Sequence, residues 1–501
     1  MTAGLEGFEG VTVVPRARVS ELARTLGRQA GDHLEALWIR VGRELGARWV
    51  LTGSFQRAAD AVRVTAQLGL LAILVFAFTL SPRKEEVFGT LDTFALYWKR
   101  FFLLTSLAVV ALSAPYENRL QAGRAEFPTL IVFTTLGMCL LASVNDFVTL
   151  FVGLELVTVT LFLLVAWRST LPSSIEAGIK YVIVGALAAA FMVYGIAWIY
   201  GTTGGFEFSR VHAAINSADG AGAGLKLGLL LLLAGLGFKL GAVPFHVWVP
   251  DVYQGAPTPV TAFLSVGSKA AGVVLLMRFV YTVLGPAAAQ WAALLGGLSA
   301  LTLLMGNLGA IPQNDLKRFL GYSGIAHAGY ILLALATHTE DSAGAILFYM
   351  GTYLFANLAA FLVIVVVSRT ADNASMDRVN GLADRSPFLA FILTAALLSL
   401  AGVPPLAGFF AKWMVLRAAM HDPSLLWLVI LSCAMIVVSL YYYLCVIKRI
   451  YMRDAIDTGV LEISGATRWM LLGSVCVLIL LGVWQQPLVA AAAQGAHSLF
   501  P

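Results

Sequence analysis

Five ionisable side chains stand where ionisable side chains are expensive. Glu155, Lys180, Lys239, Lys269 and Lys412 all fall within or against long apolar runs of a 501-residue chain. A charge at the centre of a membrane-spanning helix costs about 2.5–3.5 kcal/mol even on lenient insertion scales. Only nine residues of the chain are lysine, so four in such places are a concentration, not background. Desolvation disfavours an ammonium and a nearby carboxylate favours it. A series of such groups is therefore suited to taking up and releasing protons. The competing readings differ by residue. Lys180 lies near a helix start and Lys412 near the end of a broken helix, where snorkelling to an interface competes. For Lys239 and Glu155, which are deep, the competitor is a structural ion pair. Lys269 has the small neighbours Ser265, Gly267, Ser268, Ala270 and Ala271. These allow close helix packing or water around the ammonium. His246 and His327 are secondary candidates, for proton relay or for hydrogen-bonded packing.

Two runs are interrupted by proline, at Gly241-Ala242-Val243-Pro244 and Ala401-Gly402-Val403-Pro404-Pro405. Proline removes a backbone donor and frees a carbonyl, so both helices should break. Exposed backbone at membrane depth is tolerated only inside protein or against water. A lysine lies near each break, Lys239 and Lys412. Paired broken helices point to a transporter site at the midplane, with two unrelated proline kinks as the alternative.

Positioning such groups takes a bundle of spanning helices, and the composition supports one. The chain is 59% hydrophobic and 12% charged, about half the charge of a soluble domain. A wholly soluble fold, a disordered chain and a nucleic-acid-binding chain are excluded by that shortage. Apolar runs at 64–80, 95–113, 127–143, 146–167, 176–200, 226–249, 258–283, 286–310, 320–338, 343–368, 387–419, 425–447 and 467–487 read as about thirteen spans. The second opens with Lys99 and Arg100, which must reach toward a headgroup layer. The expected class is an all-α polytopic membrane protein. The net charge of +5 sets orientation. One set of alternate loops holds Arg119, Arg124, Arg168, Lys317, Arg318, Arg369, Arg378, Arg385, Lys448, Arg449, Arg453 and Arg468. The other holds mainly Arg83, Lys84, Arg210 and Arg417. The first set should be cytoplasmic, with the N-terminus inside and the C-terminus external.

Residues 1–63 differ. They carry sixteen of the 61 charged side chains and no spanning run. Residues 20–46 read as an amphipathic helix, and 49–52 with 61–64 as a hairpin. The expected division is an atypical soluble segment at 1–63 and a membrane domain at 64–501. No secretory h-region precedes residue 64. Cys139, Cys433, Cys445 and Cys476 lie in apolar runs without metal-ligand or disulfide spacing, and read as small buried apolar residues. The chain contains no P-loop, G-x-G-x-x-G, H-E-x-x-H or cysteine cluster, so nucleotide, flavin and metal chemistry have no seat in it.

The stretch from Gly237-Phe238-Lys239-Leu240-Gly241-Ala242-Val243-Pro244-Phe245-His246 through Asp251-Val252-Tyr253-Gln254-Gly255-Ala256-Pro257-Thr258-Pro259 closely resembles the antiporter-like membrane subunits of respiratory complex I. Ser265-Val266-Gly267-Ser268-Lys269-Ala270-Ala271 looks most like the subunit N branch of NADH-quinone oxidoreductase. Glu176-Ala177-Gly178-Ile179-Lys180-Tyr181, Asp315-Leu316-Lys317-Arg318-Phe319 and Gly408-Phe409-Phe410-Ala411-Lys412-Trp413 are similar too. The resemblance runs from about residue 64 to the C-terminus. It implies a fourteen-helix plan with two inverted five-helix repeats and discontinuous helices. It implies that Glu155 tunes Lys239, the central proton carrier, that Lys269 links two half-channels, and that Lys412 serves the exit side. Lys180 matches a functionally important family lysine. The implied function is proton translocation in a bacterial inner membrane, as part of an NADH:quinone oxidoreductase. NADH, FMN, iron–sulfur clusters and quinone would sit on partner subunits, and no cofactor or metal in this chain. A subunit of a multi-component Na+/H+ antiporter, a stand-alone secondary transporter and a structural subunit are the competing functions. The N-terminus departs from the family, whose members begin with an apolar helix.

Overall fold

A computed structural model describes residues 54–86, 89–114, 116, 125–217, 222–368, 374–455, 459, 461 and 463–500. The expected helix at 20–46 and strand at 49–52 lie outside these residues, as do Arg119, Arg124 and Arg369. The chain divides into two compact units, Met1–Thr65 and Ala66–Pro501. The first contributes only the opening of one helix to the described residues.

That helix, α1 (Ser54–Thr79), corrects the expected hairpin, because residues 61–64 lie inside it. The short alternation there is continuous with the apolar run that follows, and the longer helical pattern prevails. A short hairpin, β1 (Arg83–Glu86) and β2 (Gly89–Leu91), comes next. It lies against the segment at Ser143, with Thr90 N–H donating to Ser143 O at 2.8 Å. Gly89 has φ +127°, and a Cβ there would fall 1.9 Å from Ser143 O. Only glycine lets the backbones meet so closely.

The remaining chain is helical: α2 (Thr93–Ser113), α3 (Glu126–Ala142), α4 (Phe147–Val165), α5 (Pro172–Thr203), α6 (Phe208–Ile215), α7 (Ala223–Leu240), α8 (Trp248–Gly255) and α9 (Thr258–Phe263). A π-helical turn, Leu264–Ser268, joins α9 to α10 (Lys269–Met277), and a second, Arg278–Leu284, follows it. Then come α11 (Ala292–Ala310), α12 (Leu316–Thr337), α13 (Glu340–Val367), α14 (Leu382–Arg385), α15 (Pro387–Ala401), α16 (Ala407–Met420), α17 (Leu426–Met452), α18 (Gly465–Val483) and α19 (Gln486–His497). Eleven helices among the described residues are long and apolar enough to cross a membrane, and α3 and α15 are shorter apolar helices.

Burial separates the inner helices from the outer ones. The most apolar stretches of the continuous span Thr258–Leu284, α12 and α13 are more than nine-tenths buried, whereas only about a third of those of α5, α17 and α18 is buried. The inner three carry Lys269, His327 and a cluster of buried tyrosines. Helix starts follow local capping chemistry. Asp146 accepts from Val148 and Thr149 N–H at the head of α4, Asp315 does the same for α12, and Thr339 with Ser342 forms a capping box on α13.

The expected breaks are present and built alike. Gly241 ends α7 at φ +74° and Gly402 ends α15 at φ +86°, both left-handed. The next residue in each case donates back into the helix, Ala242 N–H to Gly237 O and Val403 N–H to Leu398 O. This is the Schellman pattern that closes a helix on glycine. A cis proline stands three residues after each glycine, Pro244 and Pro405.

A further expectation is corrected. Cys433, Cys445 and Cys476 are exposed on outer helix faces and Cys139 is half-buried, so these thiols are not core residues. Periodicity alone could not tell a lipid face from a core face in helices apolar all round. Arg100 donates through Nε and Nη2 to Ala77 O, at 3.1 Å each, and stacks on Phe78 at 4.7 Å. It thereby caps α1 with its charge.

Gly306 on α11 sets a close helix approach to α12. A Cβ there would lie 2.3 Å from Ala326 N of α12. Gly306→Ala is expected to force these helices apart and cost about 1–3 kcal/mol by overpacking. A fall in the thermal midpoint of the solubilised protein checks this, and an unchanged midpoint contradicts it.

Candidate functional site

Three lysines are buried in the middle of the bundle, and each ammonium meets a neutral oxygen. Lys239, 1% exposed, lies in the last turn of α7 and donates to Thr158 Oγ1 of α4 at 2.9 Å. Lys269 opens α10 directly after a π turn and donates to Gly324 O of α12 at 2.5 Å. Lys412 of α16 donates to Ala401 O, the last carbonyl of α15, at 2.8 Å. No ion pair joins any of the three to a carboxylate among the described residues.

The two breaks explain the first and third positions. A helix that stops leaves its last carbonyls without intrahelical donors. These carbonyls carry partial negative charge, which favours a cation. Lys239 belongs to the last turn of one such half-helix and Lys412 reaches back to the end of the other. At Lys269 the acceptor is a mid-helix carbonyl, reachable because residue 324 is glycine. A Cβ at Gly324 would come within 2.7 Å of Lys269 Nζ and 3.2 Å of Tyr353 Oη.

Glu155 is half-buried, one turn before Thr158 on α4, and within electrostatic reach of Lys239 without a direct ion pair. His327 is buried between the second and third lysines. Its Nδ1 meets Tyr349 Oη at 2.5 Å, its Nε2 meets Tyr443 Oη at 3.4 Å, and Tyr443 Oη meets Ser323 Oγ at 2.5 Å. The Tyr353 ring lies 5.0 Å from the His327 ring and 5.8 Å from Lys269 Nζ. Tyr330 faces Lys412 at 5.2 Å. A void of about 10 Å³ is lined by His327 and Lys412 together. That is about the space one water needs, and the polar partners it requires are present.

Two sequence candidates stand apart from this row. Lys180 is half-exposed, and it pairs with Glu176 at 2.7 Å and with Asp251 of α8 at 2.6 Å. Asp251 also pairs with Arg318, which reaches Gln254 as well, while Lys317 donates to Ala256 O at 2.8 Å. The Asp315-Leu316-Lys317-Arg318 motif therefore caps α12 and clamps the second half of the broken α7–α8 helix. His246 is half-buried within the break, two residues after Pro244.

Thr158, Tyr330, Tyr349, Tyr353 and Tyr443 carry no signal in the sequence that marks them as site residues. Only spacing could have suggested them: Thr158 shares a face with Glu155, and Tyr349 and Tyr353 are one turn apart. The same holds for Arg278, which is 5% exposed, forms a two-bond pair with Asp92 at 2.7 and 3.0 Å, and lies over Phe94. A cavity of about 1030 Å³ is lined by that pair with Asp146, Glu207 and His338 and by none of the three lysines.

Residues 144–439 match the family model described as NADH:quinone oxidoreductase/Mrp antiporter, TM. The chain is 38% identical to NADH-quinone oxidoreductase subunit N of Heliobacterium modesticaldum over 463 residues, covering 91% of this chain and 97% of that protein. It is 38% identical to the protein of the same name from Moorella thermoacetica, covering 93% and 98%. A chain of respiratory complex I from Thermus thermophilus with bound aureothin superposes with a TM-score of 0.76 at 32% identity, covering 95% of this chain and 99% of that one.

The Lys269–Gly324 contact is open to a double-mutant cycle. Gly324→Ala and Lys269→Met should be non-additive in thermal stability by about 1.5–3 kcal/mol, the range for a hydrogen bond to a charged group. Additivity within about 0.5 kcal/mol would show the contact to be energetically silent.

Proposed function

The chain belongs to the NADH:quinone oxidoreductase/Mrp antiporter membrane family, and from that premise we propose that it is a proton-translocating membrane subunit of a bacterial NADH:quinone oxidoreductase. It moves protons across the plasma membrane while quinone is reduced elsewhere in the assembly. Its partners are the other membrane and peripheral subunits, which carry NADH, FMN, iron–sulfur clusters and quinone. The membrane domain at 64–501 carries this function, and residues 1–63 form an appended segment on the cytoplasmic side. The excess of Lys and Arg in one set of loops supports a cytoplasmic N-terminus and an external C-terminus.

The observation that carries this reading is the row of half-buried Glu155 and buried Lys239, Lys269, His327 and Lys412 inside the bundle, in which each lysine is held by one hydroxyl or backbone carbonyl. Lys239 is the central carrier. Glu155 tunes it: a carboxylate near an amine favours the charged form, and its withdrawal favours release of the proton. Lys269 and His327 pass the proton between halves, and Lys412 delivers it on the exit side. The broken helices at Pro244 and at Pro404–Pro405 supply backbone that can switch locally. Lys180 acts at the margin by holding α8 through Asp251, and His246 is a secondary participant in the break.

Replacing Lys239 with alanine in the assembled, reconstituted complex should abolish proton pumping while the complex still assembles. Wild-type pumping by that variant would refute the role. Co-purification of the native chain with iron–sulfur subunits, and transport independent of sodium, is expected of this function. Sodium-dependent exchange without such partners would assign it to a cation/proton antiporter instead.

A further inference from the structure

One link in the row lacks an obvious carrier. Lys239 and Lys269 sit on adjacent helices, with Gly272 of α10 packed on the Lys239 backbone: a Cβ at 272 would lie 3.1 Å from the carbonyl carbon of Lys239. Thr158, which holds Lys239, cannot pass a proton on, because its own hydroxyl hydrogen is committed to Leu154 O at 2.7 Å. Ser265, one turn before Lys269, is likewise committed, to Ala262 O at 2.9 Å.

Two other hydroxyls in this region are not committed. Tyr181 Oη and Ser268 Oγ are fully shielded from solvent and complete no hydrogen bond. Tyr181 is 0% exposed and Ser268 2%. A buried hydroxyl without a partner is costly, so two together call for an explanation. Tyr181 Oη and Ser268 Oγ face each other within hydrogen-bonding reach without a well-formed bond, and Glu155 lies within electrostatic reach of Tyr181; Ser268 is the residue before Lys269. The pair thus lies between Glu155, on the Lys239 side, and the residue that precedes Lys269.

The ring of Tyr181 is aimed by its surroundings. It stacks on Phe238, the residue before Lys239, at 5.9 Å, packs on Trp248 at 4.7 Å, and meets Phe162 edge-on at 5.0 Å. Trp248 is itself fixed by donating Nε1–H to Phe238 O at 3.1 Å. Ser268 closes the π turn Leu264–Ser268. Single π turns inside α-helices recur at functional sites.

We propose that Tyr181 and Ser268 are a hydroxyl relay that carries the proton from Lys239 to Lys269. This rests on the proton-translocating reading above. The Lys239 ammonium gives a proton to the Tyr181 oxygen as the tyrosine hydroxyl hydrogen passes to Ser268. The serine hydrogen passes in turn to the neutral amine of Lys269. Lys239 ends neutral, Lys269 ends as an ammonium, both hydroxyls are restored, and no electron moves. The hydroxyls connect directly on rotation of the Ser268 side chain or through one water.

The test uses the assembled complex in proteoliposomes, with Tyr181→Phe, Ser268→Ala and Ser268→Thr beside Lys239→Ala. Tyr181→Phe keeps the aromatic box and removes one oxygen. The relay predicts that Tyr181→Phe and Ser268→Ala each slow coupled turnover on the order of 10²-fold, the lower end of what loss of a proton-transfer group costs. Electron entry from NADH to an artificial acceptor should be unchanged, and Ser268→Thr, which restores a hydroxyl, should recover most of the coupled rate. The slowed variants should also show a changed solvent deuterium isotope effect, which a packing defect would not produce. If Tyr181→Phe and Ser268→Ala pump as wild type while Lys239→Ala does not, the relay is wrong and the function stands. If Ser268→Thr is as slow as Ser268→Ala, the hydroxyl is not what matters and the relay is also wrong. Normal pumping by Lys239→Ala would overturn the function and the relay together.

Discussion

The structure turns on how a lone ammonium is kept in a dry interior. A charge removed from water needs compensation, and a carboxylate at contact is the strongest available. Among the described residues that solution is found away from the three buried lysines: Arg278 pairs with Asp92, Asp251 with Lys180 and Arg318, and Arg449 with Asp377. In the middle, Lys239, Lys269 and Lys412 are each given one neutral oxygen. A full ion pair would hold its proton against all competition. A single hydroxyl or carbonyl supports the charged form without fixing it, which leaves a nearby group able to decide the outcome.

Much of the architecture follows from supplying those oxygens. Two helices stop at a left-handed glycine and restart beyond a proline, so backbone carbonyls end near lysines. Gly324 leaves room for Lys269 to reach a carbonyl that a side chain would have screened. Arg318 holds the far half of one broken helix by an ion pair to Asp251, and Lys317 by a hydrogen bond to Ala256 O, outside the row. Rigid pairs therefore brace the segments, while neutral contacts leave the proton-bearing groups free to change state.

The sequence exposed the charged part of this design and little else. Lys239, Lys269, Lys412 and Glu155 are conspicuous because ionisable residues are rare in apolar runs, and the proline breaks because proline cannot continue a helix. Lys180 looked equivalent, but its position near a helix start let it reach a surface pair. Thr158, Tyr181, Tyr349 and Tyr443 were illegible, since hydroxyl residues are ordinary in membrane helices and their partners are distant in sequence. The backbone acceptors, Gly324 O and Ala401 O, have no side-chain signature at all. Residues 61–64 misled because four alternating positions fit a strand as well as the start of a long helix. Helices apolar on every face hid which side meets lipid, so the exposed cysteines were misplaced.

The central claim is that a neutral partner keeps Lys269 able to change its protonation state. Replacing Gly324 with aspartate would put a carboxylate beside that ammonium, and asparagine offers the same shape without the charge. The most direct measurement is the proton-to-electron ratio of the reconstituted complex carrying Gly324→Asp against Gly324→Asn. The account predicts that the aspartate variant assembles and loses pumping while the asparagine variant retains a substantial part of it. Equal pumping by the two would contradict it.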